Sequence, residues 1–186
     1  MLLALLSTTF AHAQTADQVF DQYLDFNMAR LKNETGKAML IGESLLPNVA
    51  KLPAKSQITY YAGLAKLYED SSQAEKALAY YEMVAKAEPD YYVVHRALGY
   101  LYYNKLSDLS KKLKGVKIDA KLMEDYKAMV LKALPHLEKA EACDPSDETL
   151  DMIKTLYTAI KDTAGLSTLK SRLAGLSKNC VTVLSE

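Results

Sequence analysis

Residues 58–89 read ITYYAGLAKLYEDSSQAEKALAYYEMVAKAEP, and this stretch decides the fold that the sequence predicts. Its apolar residues recur at three- and four-residue spacing, which predicts a helix, a short turn and a second helix that ends at Pro89. Small residues at Ala65 and Ala77 allow the two helices to approach closely, and tyrosines fill the space on either side. A single helical hairpin cannot bury its own apolar face, so we expect further hairpins beside this one.

The packing positions of this central hairpin fit a 34-residue template. They are Tyr61, Leu64, Ala65 and Tyr68 in the first helix and Ala77, Tyr81, Val84 and Pro89 in the second. In this order of residue types the stretch resembles a tetratricopeptide repeat. The resemblance implies an all-α fold, a right-handed α-α superhelix of helical hairpins, whose first helices line a concave groove that binds a protein or peptide. The later segment ALPHLEKAEACDP, residues 133–145, looks like exported bacterial members of unassigned role.

Length and charge set limits on the kind of protein. A chain of 186 residues can bury a substantial core, and 23 basic residues balance 23 acidic ones. A neutral chain lacks the field that steers proteins toward nucleic acid, so we expect no nucleic-acid partner. We expect one helical domain over 15–178 and a frayed tail over 179–186. Its hairpins are predicted at about 15–50, 56–89, 90–145 and 147–178.

Residues 1–13, MLLALLSTTFAHA, are typical of a secretory signal peptide, because a short apolar run precedes an A-x-A motif that ends at Ala13. The alternative interpretation is an N-terminal core helix. The run is too short to span a bilayer, so we expect no transmembrane segment in the mature chain. Export would place the protein in the periplasm or the bacterial envelope, where Cys143 and Cys180 could pair. Their spacing leaves the pairing open.

Caps and apolar spacing predict further helix boundaries. Thr15 and Gln18 can form a capping box that opens the first helix, and a second helix is predicted over 36–46. Ser56 and Ser72 are predicted to cap the two helices of the central hairpin. The residues that we expect on the inward face of the first helix are Phe20, Tyr23, Leu24, Asn27, Met28 and Leu31.

The repeat after the central hairpin begins in register and then lengthens. Ala133 lies 31 residues after Tyr102, whereas the matching Ala77 lies nine after Tyr68. Apolar spacing continues on both sides of the extra residues, which predicts an elongated, protruding hairpin rather than a loop. Pro135 falls inside its returning helix, where we expect a kink.

The family resemblance implies a set of groove-facing residues on the first helices. They are Thr59, Ala62, Lys66, Glu69 and Asp70, then Val93, Arg96, Tyr100, Tyr103 and Asn104. Arg96, Tyr100 and Tyr103 form the strongest candidate cluster, because Arg and Tyr recur at binding hot spots. The alternative is that these tyrosines pack against neighbouring helices. Ala62 and Lys66 depart from the Lys and Asn of the chaperone-binding clamp, so we do not expect chaperone docking.

The tip of the elongated hairpin is predicted to be basic. Its lysines are Lys111, Lys112, Lys114 and Lys117. Such a run is typical of a solvated face, and contact with an acidic partner or an anionic surface is the alternative.

The tyrosine pairs have a similar two-way interpretation. We expect Tyr61, Tyr81 and Tyr102 in the core and Tyr60, Tyr80 and Tyr103 as their more exposed partners.

No catalytic signature stands out in the sequence. A nucleophile elbow, a P-loop and an H-E-x-x-H motif are missing from the 186 residues. His95 holds a packing position and His136 follows Pro135, so both are interpreted as structural. We therefore expect no enzyme, no cofactor and no metal site, and predict a non-enzymatic protein- or peptide-binding scaffold. The alternatives are an assembly subunit, acting through self-association or the basic tip, and an enzyme with an unrecognised site.

Overall fold

The computed structural model describes residues 14–112 and 120–184. Within these ranges the chain forms eight α-helices and no strand, which confirms the all-α fold class. The helices are α1 (Ala16–Leu31), α2 (Thr35–Leu45), α3 (Ala54–Asp70), α4 (Ala74–Ala87), α5 (Tyr92–Lys112), α6 (Ala120–Cys143), α7 (Asp147–Ala159) and α8 (Thr163–Leu176). In the described part of the chain, no helix has the length and apolar character needed to cross a membrane. The signal-peptide prediction for 1–13 lies outside the described residues.

The chain divides into two compact units, whereas the sequence predicted one domain. The first unit ends at Gln57 and the second begins at Ile58. In the first unit α1 packs on α2 and on a 3₁₀ helix, Leu46–Lys51. The predicted capping box is confirmed, since Thr15 Oγ1 accepts from the backbone N–H of Gln18 and the Gln18 side chain accepts from the Thr15 N–H.

The inward face of α1 differs from the predicted one. Its buried residues are Val19, Tyr23, Phe26 and Ala29. Tyr23 was predicted to be buried, but Phe20, Leu24, Met28 and Leu31 are exposed and Asn27 is half-buried. The helix has two apolar faces, and spacing alone cannot tell which of them turns toward the core.

The central hairpin of the second unit follows the predicted packing. Its buried residues include Leu64, Ala65 and Tyr68 on α3 and Ala77, Tyr81 and Val84 on α4. The prediction for one tyrosine pair is wrong, because Tyr60 is fully buried and Tyr61 is half-buried. Tyr61 instead stacks on Tyr80 with 5.7 Å between ring centroids, and Tyr80 also stacks on Tyr68. The Tyr61 ring therefore lies in an aromatic stack between α3 and α4, while Tyr60 takes the buried position.

Both predicted caps of the central hairpin are wrong. Ser56 lies inside α3, which begins at Ala54. Ser72 adopts a left-handed backbone conformation with φ 58°, and the residue before α4 is Gln73, whose side chain makes no capping hydrogen bond. The turn uses backbone hydrogen bonds instead, among them one from the Gln73 N–H to the Tyr68 carbonyl at 2.8 Å.

The next two helices are long, as the insertion predicted. α5 has 21 residues and α6 has 24, and they pack along each other. A Cβ atom at Gly99 would lie 2.7 Å from Leu137 Cδ2, so a larger residue where α5 meets α6 would displace the Leu137 side chain. Pro135 lies inside α6 and cannot donate a hydrogen bond to the Leu131 carbonyl. The turn of this hairpin, with Lys114 and Lys117, lies outside the described residues.

The start of the predicted frayed tail is attached to the second unit. Cys143 and Cys180 form a disulfide with Cα atoms 5.6 Å apart, which settles the pairing that the sequence left open. The Val181 N–H donates to the Asp90 carbonyl at 2.8 Å, and the Val181 carbonyl accepts from the Tyr92 N–H at 3.2 Å. This is an isolated bridge and not a sheet. The tail thus pairs with the start of α5.

Removing this disulfide should weaken the fold. We expect the double variant Cys143→Ser, Cys180→Ser to lose about 2–4 kcal/mol of unfolding free energy, because a cross-link over 37 positions restricts the unfolded chain. Urea unfolding of the oxidised protein and of the variant measures the difference. Equal midpoints and slopes would contradict a stabilising disulfide.

Candidate functional site

The strongest groove candidates bind to other parts of their own chain. The Arg96 guanidinium forms an ion pair with Asp144 Oδ2 at 2.7 Å and donates to the Asp144 carbonyl at 2.9 Å. The Tyr100 hydroxyl lies 2.9 Å from Thr149 Oγ1. Arg96 therefore holds α5 against the segment that joins α6 to α7, and Tyr100 holds it against the first turn of α7. Tyr103 lies near Tyr126, whose pKa is raised by burial and then by Tyr103.

The other groove candidates have mixed surroundings. Lys66 pairs with Asp70 on the same helix, and Glu69 accepts a hydrogen bond from the Tyr81 hydroxyl at 2.8 Å. Burial, and then this bond to Glu69, raise the pKa of Tyr81. Thr59 and Ala62 are half-buried, and Val93 and Asn104 are exposed. At the hairpin tip, Lys111 pairs with Asp108 at 3.2 Å, and the Lys112 side chain lies outside the described residues.

An open apolar cavity lies among α6, α7 and α8. Its volume is about 530 Å³, within the range of ligand-binding pockets. The lining residues are Leu131, Leu134, Pro135, Glu138, Tyr157, Asp162, Arg172, Gly175 and Leu176. The α6 side of the wall is mostly apolar, and Leu131 is 49% exposed. Leu176 is the last residue of α8, and Leu169 of the same helix is buried.

An ion pair between the buried Glu138 and the half-buried Arg172 forms the polar part of this cavity. Glu138 is only 5% exposed and accepts from Arg172 Nε at 2.9 Å and from Arg172 Nη2 at 2.7 Å. The Tyr157 hydroxyl donates to Glu138 Oε1 at 2.5 Å and accepts from Arg172 Nη2 at 2.7 Å. Arg172 Nη1 donates to the Gly165 carbonyl and to Thr168 Oγ1. The five N–H groups of the guanidinium all have acceptors.

The polar groups of this cluster bond to one another and to α8, and in this sense we call the cluster closed. Hydrogen bonding to Glu138 raises the pKa of Arg172, while burial and the bond to Glu138 raise the pKa of Tyr157. The cation, the carboxylate and the neutral phenol therefore satisfy each other at neutral pH. A Cβ atom at Gly165 would lie 2.3 Å from Tyr157 Cε1, so the first turn of α8 rests directly on this ring.

A second cavity, among α4, α5 and α6, has a different character. It measures about 440 Å³, and its lining includes Glu75, Glu82, Lys105, Asp125 and Lys132. Lys105 pairs with Glu75 at 2.7 Å. Its many solvated charges make it a poorer candidate for binding than the apolar cavity.

The structure also brings together the two histidines that the sequence treated separately. His95 Nδ1 and His136 Nδ1 lie 3.0 Å apart, and the His136 ring stacks on Tyr102. Burial, then His136 and Lys139, lower the pKa of His95 to about 4, against the opposing effects of a backbone hydrogen bond with Pro89 and of Asp90. Burial also lowers the pKa of His136, although Glu82 opposes this shift. Both histidines are neutral at pH 7. They stand 41 positions apart in the sequence, so no local spacing predicts their contact.

The described residues contain no cluster of three or more potential metal ligands. Comparison of the chain with protein-family models, with curated proteins and with solved structures found no match. The resemblance to tetratricopeptide repeats and the superhelix that it implies therefore stay predictions.

The ion pair in the cavity should stabilise the second unit. We expect Arg172→Met to lower the unfolding free energy by about 1–3 kcal/mol, because the buried Glu138 would lose the hydrogen bonds of its cation and keep only that from Tyr157. Lys154→Met is the matched control, since Lys154 pairs with Asp151 at 3.9 Å on the surface and should cost less than about 1 kcal/mol. Urea unfolding measures both values. Similar losses for the two variants would contradict the role assigned to the pair.

The histidine pair should make stability depend on pH. Because the pKa of His95 is lowered from 6.5 to about 4 in the folded protein, the unfolded chain binds more protons between these values. Stability should therefore be full above pH 6.5 and fall as the pH drops toward 4. With solvent screening, we expect a loss of about 1–2 kcal/mol between pH 7 and pH 5.

The comparison that isolates this contribution uses the double variant His95→Gln, His136→Gln. Urea unfolding at pH 7 and pH 5 gives the change in free energy for each protein, and the carboxylates away from the pair contribute equally to both. The variant should lose less than the parent protein. An equal loss in the two proteins would mean that other groups carry the pH dependence.

Proposed function

We propose that the protein is a non-enzymatic scaffold that binds another protein, and that the binding surface is the apolar cavity among α6, α7 and α8. The observation that carries this proposal is the closed polar cluster in the cavity. Arg172, Glu138 and Tyr157 use their hydrogen-bonding groups on one another and on α8. What the cavity offers a partner is apolar surface, including the half-exposed Leu131.

An apolar side chain from a protein fits this site better than a polar small molecule does. Small-molecule sites combine apolar walls with a few polar groups that orient the ligand. Here the guanidinium has no N–H left to donate. A leucine or aromatic anchor needs no such group, and anchors of this kind dominate the energy of many protein interfaces.

The concave groove is a less favoured location for binding. Removing Arg96 or Tyr100 would break contacts with Asp144 or Thr149, so these side chains already have structural roles. If such a variant lost binding, a damaged fold and a damaged groove would explain the loss equally well.

We place this scaffold outside the cytoplasm, in the periplasm or the bacterial envelope. The Cys143–Cys180 disulfide supports this location, because disulfides persist in oxidising compartments. The signal-like segment over 1–13 agrees with it.

Filling the cavity should weaken binding without harming the fold. A Cβ atom at Gly175 meets nothing within 4 Å, and this helical glycine lines the cavity. We expect Gly175→Leu to retain or gain up to about 1 kcal/mol of stability from helix propensity. Its affinity for the partner should fall at least about tenfold, ~1.4 kcal/mol, because the new side chain occupies the anchor's space.

Gly36→Leu is the matched control, since Gly36 also lies in a helix with nothing near its Cβ position. Capture from an envelope extract with the unchanged protein identifies the partner, and titration with the purified partner then gives the affinities. Equal affinities for the two leucine variants would disprove binding at the cavity.

A further inference from the structure

Two attachments hold the second half of α8 on α6. The Arg172 guanidinium bonds to Glu138, with Nε at 2.9 Å. Eight positions further along the chain, Cys180 is joined by the disulfide to Cys143, the last residue of α6. The last two residues of α8 lie between these attachments, and both line the apolar cavity. This side of the cavity wall is therefore fixed at both of its ends.

Hydrogen bonds add to the disulfide at the end of α8. Lys139 Nζ donates to the carbonyl of Leu176 at 3.5 Å and to that of Asn179, and the Val181 N–H donates to the Asp90 carbonyl at 2.8 Å. Because Lys139 also pairs with Asp90, it keeps an acceptor when the two carbonyls leave. Asn179 and Val181 are exposed, and segments with solvent-exposed hydrogen bonds open at low cost in free energy. The disulfide is thus the attachment that prevents this opening.

The disulfide can be reached from solvent. Cys180 is exposed, whereas Cys143 is half-buried. Reduction begins when a thiolate attacks one sulfur of a disulfide, and it requires access to that sulfur. A dithiol therefore attacks Cys180, and Cys143 leaves as a thiolate that takes up a proton. The second thiol of the dithiol then displaces Cys180, so the protein disulfide ends as two thiols and the dithiol is oxidised to a disulfide.

We propose that the Cys143–Cys180 disulfide is a redox switch for the wall of the cavity. In the oxidised chain the wall is complete and the partner binds. Reduction by a dithiol oxidoreductase frees the chain after Arg172, so that Gly175 and Leu176 leave their positions and binding weakens. This inference rests on the function proposed above. Because disulfides persist in an oxidising compartment, the binding form is the resting one and release requires the reductant.

The first experiment follows the end of α8 by NMR and needs no partner. Backbone order parameters are measured for the oxidised chain and for the chain reduced with dithiothreitol. For residues 175–181 we expect a fall from about 0.85 to below about 0.6, because these residues follow the last attachment that remains. Arg172, and Leu137 in the contact between α5 and α6, should keep a value of about 0.85 in both forms.

The second experiment measures binding. The oxidised and the reduced chain are titrated with the partner that the oxidised chain captures, well below the unfolding temperature of either form. We expect reduction to weaken binding at least about threefold. The double variant Cys143→Ser, Cys180→Ser is the control. It should bind like the reduced chain and should not respond to dithiothreitol, which separates loss of the disulfide from other effects of the reductant.

Any of three results would disprove the switch. Equal order parameters for residues 175–181 in the two forms would mean that hydrogen bonds alone hold the wall. Mobility that extends to Leu137 would mean that the disulfide stabilises the whole unit and not this wall. Equal affinities of the oxidised and reduced chains would separate the disulfide from binding. If instead the end of α8 becomes mobile on reduction but neither form binds a partner, control of the wall by the disulfide is supported and the function proposed above is wrong.

Discussion

One turn of α6 buries three charged side chains, and the second unit depends on how they are paired. Glu138, Lys139 and Glu141 are each at most 6% exposed. A buried charge is costly unless a partner compensates it. Glu138 pairs with Arg172 on α8. Lys139 pairs with Asp90 at 2.8 Å and also donates to the carbonyl of Leu176, at the end of α8, and to that of Asn179 in the tail. Glu141 accepts from the Ser146 N–H, at the start of α7. These residues make α6 the common support for the elements that follow it.

The cavity is a consequence of the same arrangement. Because the pair between Glu138 and Arg172 fixes the distance from α6 to α8, the space beside it stays open where α8 has glycine at Gly175 instead of a larger residue. Pro135 lines the other side. The cavity has the pair of Glu138 and Arg172 at its base and a glycine, Gly175, at its rim. Its apolar walls therefore stay exposed to solvent. Where two helices pack tightly, as α5 and α6 do between Gly99 and Leu137, no such space is left.

Sequence reasoning was most successful where one residue type has one structural use. Small and aromatic residues such as Ala77 and Tyr81 identified the helix contacts, and the insertion identified the long helices α5 and α6. The predictions were wrong where two alternatives have similar local energy. α1 has two apolar faces, either of which could turn inward. At the start of α4, backbone hydrogen bonds take the place of the expected Ser72 cap. The candidate site was not predicted. Contacts such as Glu138 with Arg172 join residues 34 positions apart, and neither residue carries a local signature.

The disulfide has a topological consequence. Residues between Cys143 and Cys180, which include both α7 and α8, belong to a covalently closed ring whose ends are fixed on α6. A protease that cuts one bond within this ring opens it, yet the two pieces remain joined through sulfur. Separation of the pieces then requires a reductant as well as unfolding. The last helical hairpin, α7 and α8, is thus joined to α6 by the continuous chain at one end and by the disulfide at the other.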